Sequence, residues 1–359
     1  MKRLIKYPSI EQFRTVIKNV QHAAQYVRYD AATNETVMNS DAKMPVVKAI
    51  ATEKIHGTNA SVCFSNPDGF WVQRREGFCT IESDNAACAF YALQNEATWV
   101  NIIQLLAKEH NVDLNTNIIT VYYEWCGGNI QKKSAVSGLD KLAVIFRYFK
   151  VSPLDHSEAI SSTWYETNVE GQWVDAKEAR IFNISNFPTY EFDIDFNQPL
   201  LSQNKMIDLV ENVIEPNSPV GRQLGIEGNI GEGVVVSFLY KDILYKFKVK
   251  GEKHSSSKVK VLKPVDDEKI QKIQNIAEQV APAWRLEQMF ALANDTLNGG
   301  TPSTEHLGKF MKALNQDIIK EESDILANAG LEPKEVLSVV SRIARQWYFE
   351  ELNSKIYTY

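Results

Sequence analysis

Hydrophobic and polar positions divide the chain into a strand-rich part and a helix-rich part. Between residues 45 and 263, short β-branched or aromatic runs are bounded by Gly, Asn, Asp or Pro, which is typical of antiparallel strands. These runs cover residues 62–64, 69–73, 117–125, 142–149, 233–240 and 243–249. Residues 85–110 instead place Phe90, Leu93, Trp99, Ile102, Ile103 and Leu106 at helical spacing, which predicts a helix on one sheet face. The expected fold class is α+β.

After Pro264 the strand signals stop and helix-forming residues dominate. The pattern predicts a helix over residues 268–281 that is interrupted at Pro282. Thr301 and Pro302 have the residue types of a helix N-cap and first turn. The buried stripe of a last helix is expected at Val336, Val340, Ile343 and Trp347. We therefore expect a first domain over residues 1–263 and a smaller all-α domain over residues 264–359.

Composition and length describe an ordinary globular protein. The 359 residues are 44% apolar and 23% charged, enough to bury a core without disulfides or metal. No apolar run approaches the roughly 20 residues of a membrane span, and the first residues are too short an apolar run for a signal peptide. We expect no membrane association and a cytoplasmic location. The four cysteines lack CxxC spacing, which predicts buried thiols.

Positive charge is concentrated in one segment. The net charge of −6 excludes a protein that coats nucleic acid over its whole surface. Residues 246–263, however, contain seven lysines against the single acid Glu252. Such a patch fits a phosphate-binding surface, and its alternative is a solvated basic strand. Alternation over residues 243–249 sends Lys246, Lys248 and Lys250 to one strand face, where they repel one another unless an anion lies among them.

Three further segments place candidate chemistry near strand ends. In EKIHGTN, residues 53–59, a lysine at a strand end followed by Gly57 could present its amine to a pocket, although KxxG alone fits a solvated surface lysine better. Glu124 lies at the end of the strand over residues 119–125, before two glycines. Glu232 directly precedes a continuous valine run and is expected at the mouth of a buried strand.

The order and spacing of these motifs resemble those of covalent nucleotidyltransferases, and most closely the bacteriophage RNA ligase 2 family, which includes the kinetoplastid RNA-editing ligases. The resemblance covers residues 45–255. It is carried by EKIHGTN, Arg75 in RREG, Glu124 in YEWCGGNIQ, Phe146 in VIFRYF, Glu232 in GEGVVV, and Lys248 with Lys250 in KFKVKGEKH. The histidine inside KIHG and the following Asn59 are more specific than the bare KxxG of DNA ligases and capping enzymes.

The resemblance implies an antiparallel-sheet, ATP-grasp-like nucleotidyltransferase core and ATP-dependent RNA ligation. The Lys54 amine would attack the α-phosphate of ATP, AMP would pass to an RNA 5′-phosphate, and a 3′-hydroxyl would displace it. Because a lysine amine has an intrinsic pKa of about 10.4, we expect Lys248 and Lys250 to lower the pKa of Lys54 and to hold the α-phosphate.

The remaining site residues follow from the same resemblance. Glu232 and Asn59 would bind Mg²⁺, or Mn²⁺ in its place, and His56 would act near the phosphates. Glu124 and Arg75 would contact the ribose, with Arg74 as a competitor for Arg75. Phe146 would stack on adenine, although a core aromatic is an equal interpretation, and Glu53 would help to recognise the base. The expected partner is RNA with 5′-phosphate and 3′-hydroxyl ends in a nicked or bridged duplex, bound by a monomer.

The chain departs from the family pattern at three places. First, about fifty residues precede Lys54, and residues 30–43 resemble an inserted loop. Second, the strand after Glu232 ends VVSF, without the lysine that is usual there. Third, the helical region has no motif of the family. Alternatives of the same chemistry are a DNA ligase and a GTP-dependent capping enzyme, which usually continue into a small β-barrel. The alternative of another class is a nucleotide- or RNA-binding module without turnover.

Overall fold

The computed structural model describes residues 2–128, 130–131, 134–155, 162–168, 176–227, 230–250, 264–296 and 300–356. These residues form two compact units. The first contains Met1–Val20 and Val46–Pro264, and the second contains Gln21–Pro45 and Val265–Tyr359. The lysines after Lys250 in the basic segment, at 253, 258, 260 and 263, lie outside the described residues.

The first unit is built on two antiparallel-rich sheets, as the alternating patterns predict. Its strands are β3 Val46–Glu53, β4 Thr58–Ser65, β5 Gly69–Arg74, β6 Gly77–Cys79, β7 Asn117–Cys126, β8 Leu142–Ile145, β9 Tyr148–Pro153, β10 Thr163–Glu166, β11 Ile181–Asn183, β12 Thr189–Asp195, β13 Gly233–Tyr240 and β14 Ile243–Lys250. The larger sheet has the order β10-β9-β7-β4-β5-β6, with β8 paired to β7 and, in parallel, to β11. The smaller sheet has the order β12-β3-β13-β14.

Helices pack on these sheets through apolar side chains. They are α1 Phe13–Gln25, α2 Cys88–Gln94, α3 Glu96–Glu109, α4 Gln203–Leu209 and α5 Pro219–Gln223. In α3, Trp99 and Ile103 are fully buried against the larger sheet, which confirms the predicted helix cover. The prediction of one helix with Phe90 and Leu93 buried is wrong, because the helix breaks at Asn95 and these two side chains are exposed on α2.

The second unit has a helical core and one hairpin. Its helices are α6 Asp267–Val280, α7 Ala283–Asn294, α8 Leu307–Glu321, α9 Ser323–Asn328 and α10 Pro333–Ile356. The break at Pro282 and the buried Val336 and Val340 of α10 agree with the sequence pattern. The N-cap prediction at Thr301 is wrong, because Ser303 caps the short turn before α8. The expected loop at residues 30–43 contains part of a hairpin, β1 Tyr26–Asp30 with β2 Glu35–Met38.

Candidate active site

Lys54 follows the last residue of β3, where the chain leaves the smaller sheet for the larger one. The Lys54 amide donates to the Gly233 carbonyl at 2.8 Å, which fixes the lysine beside the start of β13. The connection then passes close to β7. A Cβ atom on Gly57 would lie 2.3 Å from the Trp125 carbonyl oxygen, so only glycine fits this passage. The two sheets therefore meet at the Lys54 side chain.

A buried carboxylate gathers the charged groups around Lys54. Glu232 is only 2% exposed, and its Oε2 lies 2.6 Å from Lys54 Nζ and 2.9 Å from His56 Nδ1. Lys250 Nζ binds the other carboxylate oxygen. Burial alone would raise the pKa of Glu232, but the hydrogen bonds from His56, Lys250 and Lys54 hold it well below its usual range. Glu232 is thus an ionised carboxylate shared by three donors from two chain segments, the connection after β3 and the end of β14.

Glu124 lies on the opposite side of the same connection. Its Oε1 accepts the Gly57 amide at 3.0 Å, which ties the turn after Lys54 to the end of β7. Burial raises the pKa of Glu124 to about 7, against the opposing effect of the Lys54 charge. The site therefore contains two carboxyl groups whose pKa values are moved in opposite directions.

Two adjoining cavities meet at Lys54. The outer cavity has a volume of 470 Å³ and a polar, cation-rich lining that includes Lys54, Asn59, Arg75, Lys248 and Lys250. The inner cavity, of 60 Å³, is mostly apolar, with Ile55, Phe146, Tyr148, Ile184 and Val235 in its lining. Lys54, Glu124, Phe146, Tyr7 and Ile10 line both. We call the inner cavity the apolar slot and the outer cavity the cationic basin. The two open into each other, and the Lys54 amine lies at their junction.

The structure brings nearly all sequence-predicted site residues to this junction. Lys54, Asn59, Arg75, Glu124, Phe146, Lys248 and Lys250 line the outer cavity, and His56 and Glu232 join it through the ion cluster. Arg75 lines the cavity, whereas Arg74 ends β5 and pairs with Gly77. Desolvation, followed by the charges of Lys250 and Lys54, lowers the pKa of Lys248. The cations are close enough to act on one anion.

Glu53 and Lys246 are placed differently from what the sequence suggests. Glu53 lines the inner cavity, but its carboxylate accepts hydrogen bonds from Ser218 Oγ at 2.5 Å and from the Val220 amide at 2.9 Å. Lys246 is on the expected face of β14, yet it is only 2% exposed, because the N-terminal segment covers it. Lys246 is therefore not part of a solvent-facing row of phosphate contacts.

Sequence reasoning missed the contribution of residues 7–10. Tyr7, Pro8 and Ile10 line the outer cavity, and the Arg75 guanidinium donates to Ser9 Oγ at 3.0 Å. No periodicity or motif marks these residues, and more than forty positions separate them from Lys54 in the sequence. Their proximity to the site is a product of the fold alone.

Fold and site together define an α+β protein with a lysine-centred, cation-rich cavity between two sheets. A family model described as RNA ligase matches residues 47–250, which is more than half of the chain. The chain belongs to the RNA ligase family. No curated protein matches the sequence.

Similar solved structures include forms of the RNA ligase of Naegleria gruberi. A mutant with AMP and Mn has a TM-score of 0.37 and 14% identity, and the match covers 70% of this chain and 57% of that one. The structure with PPi has a TM-score of 0.34 and 14% identity, covering 68% and 56%. Another mutant, with ATP and Mn, has a TM-score of 0.38 and 14% identity. This chain thus spans less than two thirds of the length of that protein.

Proposed function

We propose that this chain is an ATP-dependent RNA ligase of the RNA ligase 2 type, joining RNA 5′-phosphate and 3′-hydroxyl ends. The supporting observation is the Lys54 amine at the junction of an apolar slot and a cationic basin, inside the region that matches the RNA ligase family. An ATP-grasp-like core in Met1–Val20 and Val46–Pro264 completes the proposal. The accessory domain would be the second unit, which is helical apart from the β1–β2 hairpin and so differs from the all-α domain expected over residues 264–359.

The reaction is group transfer at phosphorus in three displacements. The Lys54 nitrogen forms a P–N bond to the α-phosphorus of ATP while the α–β P–O bond breaks, and pyrophosphate leaves. An RNA 5′-phosphate oxygen then takes AMP from the lysine, which regains its amine. Finally the 3′-hydroxyl oxygen attacks the 5′-phosphorus, and AMP leaves. Lys248 and Lys250, which line the basin, would stabilise the negative charge of the phosphate through each displacement.

The Lys54 amine must release its hydrogen bond to Glu232 before it attacks. Its Nζ lies 2.6 Å from Glu232 Oε2, and Lys248 and Lys250 line the same basin. A nucleotide phosphate in the basin would compete with Glu232 for the three donors that this carboxylate now shares. His56, which also donates to Glu232, would steady the carboxylate as Lys54 moves to phosphorus.

The donor set fits a divalent cation that is held mainly by phosphate oxygens and water. Among the described residues, no group of three His, Cys, Asp or Glu side chains could hold a metal by itself. Mg²⁺ commonly takes only one or two protein carboxylates beside substrate phosphates. Asn59 in the lining of the basin, together with Glu232 once a nucleotide phosphate has taken over its cationic donors, would hold Mg²⁺ or Mn²⁺ in that manner. The metal would neutralise charge on the phosphates.

The inner cavity would take the nucleobase. Phe146 lies between β8 and β9, where the sheet is interrupted, so its half-buried side chain is available to a planar ligand. Glu124 and Arg75 would contact the ribose. Glu53 would contribute to base recognition as part of the cavity lining, because its carboxylate is already bound by Ser218 and Val220.

The RNA would be a nicked or bridged duplex bound by a monomer in the cytoplasm. No helix in the described part of the chain is both long and apolar enough to cross a membrane. Phosphates of the RNA would bind by Coulomb attraction to the basic segment, so that binding weakens as salt concentration rises.

The test is transfer of label from α-labelled ATP to the protein with Mg²⁺. We expect a labelled band with wild-type protein and none with Lys54→Ala. Lys48→Ala is the matched control, because Lys48 lies on β3, the strand that leads to Lys54, with its side chain 73% exposed. Labelling by GTP but not ATP would favour a capping enzyme, and no label with either nucleotide would favour a binding module. Nicked RNA and nicked DNA substrates then separate RNA ligase from DNA ligase.

A further inference from the structure

Residues 2–11 form a strap that is fastened across strands of both sheets. We name this segment the N-terminal strap. The Lys2 ammonium donates to the Phe70 carbonyl at 2.9 Å, and the Ile5 amide donates to Gln73 Oε1 at 2.7 Å. At the other end, the Glu11 amide donates to the Lys246 carbonyl at 3.2 Å. The strap therefore has a defined path over the nucleotide cavities, with Tyr7 midway.

Tyr7 shares a wall of both cavities with Phe146. Their ring centroids are 4.9 Å apart, at an interplanar angle of 34°, and Tyr122 lies 4.7 Å from Tyr7 on another side. A base inserted between two rings would need their centroids about 7 Å apart, twice the usual contact distance. No base fits between Tyr7 and Phe146. The two rings instead pack against each other in the wall of both cavities.

The Lys246 side chain contacts the face of the Tyr7 ring. Its Nζ lies 3.0 Å from the Tyr7 ring centroid, and it has no hydrogen-bond acceptor among the described residues. Burial, and then the charge of Arg75, lowers the pKa of Lys246 to about 6, and the face of the Tyr7 ring opposes this shift because it favours the protonated amine. The Tyr7 ring is the principal partner of this buried amine among the described residues.

We propose that Lys246 and Tyr7 form a positioning pair for nucleotide binding, in which the Lys246 amine holds the Tyr7 ring against Phe146 and so sets the position of the Phe146 ring that receives the nucleobase. Lys246 is a positioning residue, because it contacts Tyr7 and is absent from the lining of both cavities. The nucleotide, ATP, is taken from the proposed function. The pair makes the N-terminal strap a part of the nucleotide site.

The test compares binding and chemistry in the full chain. The probe is α,β-methylene-ATP, whose α–β bridge is a P–C bond that lysine attack does not break. We expect Lys246→Met to weaken its binding about tenfold, the magnitude of a desolvated cation–π contact, while the adduct-forming rate at saturating ATP changes less than about twofold. Lys246→Arg, which keeps the cation, should remain within about threefold of wild type.

Two controls keep the test specific. Lys241→Met removes a cation that lies 5.8 Å from the Tyr240 ring at the turn of the same hairpin, and it should change nothing. Tyr7→Leu should weaken binding of the analogue as much as Lys246→Met does. The double variant should bind the analogue no more weakly than either single variant, because both substitutions remove the same contact.

Unchanged binding by Lys246→Met, additive losses in the double variant, or a loss of rate without a loss of affinity would each overturn the positioning pair. If wild-type protein forms the labelled adduct but the variants bind equally well, only this inference fails. If wild-type protein neither binds the analogue nor forms an adduct, the proposed function fails with it.

Discussion

Glu53 gives the stability of the first unit a specific dependence on pH. Its side chain is 5% exposed at the end of β3, and it accepts hydrogen bonds from Ser218 and Val220 at the start of α5. Burial raises the pKa of Glu53 from 4.5 to about 7, because desolvation outweighs these two hydrogen bonds. Between these values the folded protein keeps a proton that the unfolded chain has lost. Glu53 therefore lowers the free energy of unfolding progressively as pH rises through this range.

Glu53→Gln removes this titration and retains a similar shape. Relative to wild type, its free energy of unfolding should rise by about 2.5 kcal/mol between pH 5 and pH 8, at about 1.36 kcal/mol for each unit of pKa difference. The buried Glu124 titrates in both proteins and cancels from the comparison. The measurement is urea unfolding followed by tryptophan fluorescence at both pH values.

The matched control is Glu191→Gln on the neighbouring strand β12, where the side chain is 65% exposed, and its difference from wild type should not depend on pH. A Glu53→Gln difference that is equal at pH 5 and pH 8 would refute the reasoning, since the buried carboxyl would then be ionised in the same way in both states.

Three further outcomes test the site and the packing around it. Glu232→Gln removes the ionised acceptor of three donors and should lower formation of the labelled lysyl-AMP protein by about 100-fold, with Glu191→Gln unaffected; normal labelling would exclude a role for Glu232 in adenylylation. Gly57→Ala places a methyl group against the Trp125 carbonyl and should cost about 1–3 kcal/mol in urea unfolding, whereas Gly308→Ala, on α8 with open space around it, should cost nothing; equal effects would contradict the close approach. Removal of divalent ions with EDTA should abolish labelling, and Mg²⁺ or Mn²⁺ should restore it, whereas labelling that persists in EDTA would remove the metal from this step.

Strand positions were predictable where a short apolar run or a two-residue period occurs between turn residues. The continuous valine run of β13 and the alternating residues of β14 predict strands at residues 233–240 and 243–249, and the structure has them at Gly233–Tyr240 and Ile243–Lys250. The run over residues 142–149 was predicted as one strand, but it breaks at Phe146 and Arg147. There β8 pairs with β11 while β9 pairs with β10, so pairing partners from distant segments decided the break. That break places Phe146 in the cavity lining.

The chemical inventory of the candidate site was contained in the amino-acid sequence, because Lys54, Glu232 and the lysines of β14 occur in short motifs whose spacing is local. Only the tertiary structure decided how these groups are paired. It placed one buried carboxylate among Lys54, His56 and Lys250, bound Glu53 to α5, and brought Tyr7 over Lys246. Burial and charge contacts depend on segments far apart in the chain, and local periodicity contains no information about which distant side chain will cover a given residue.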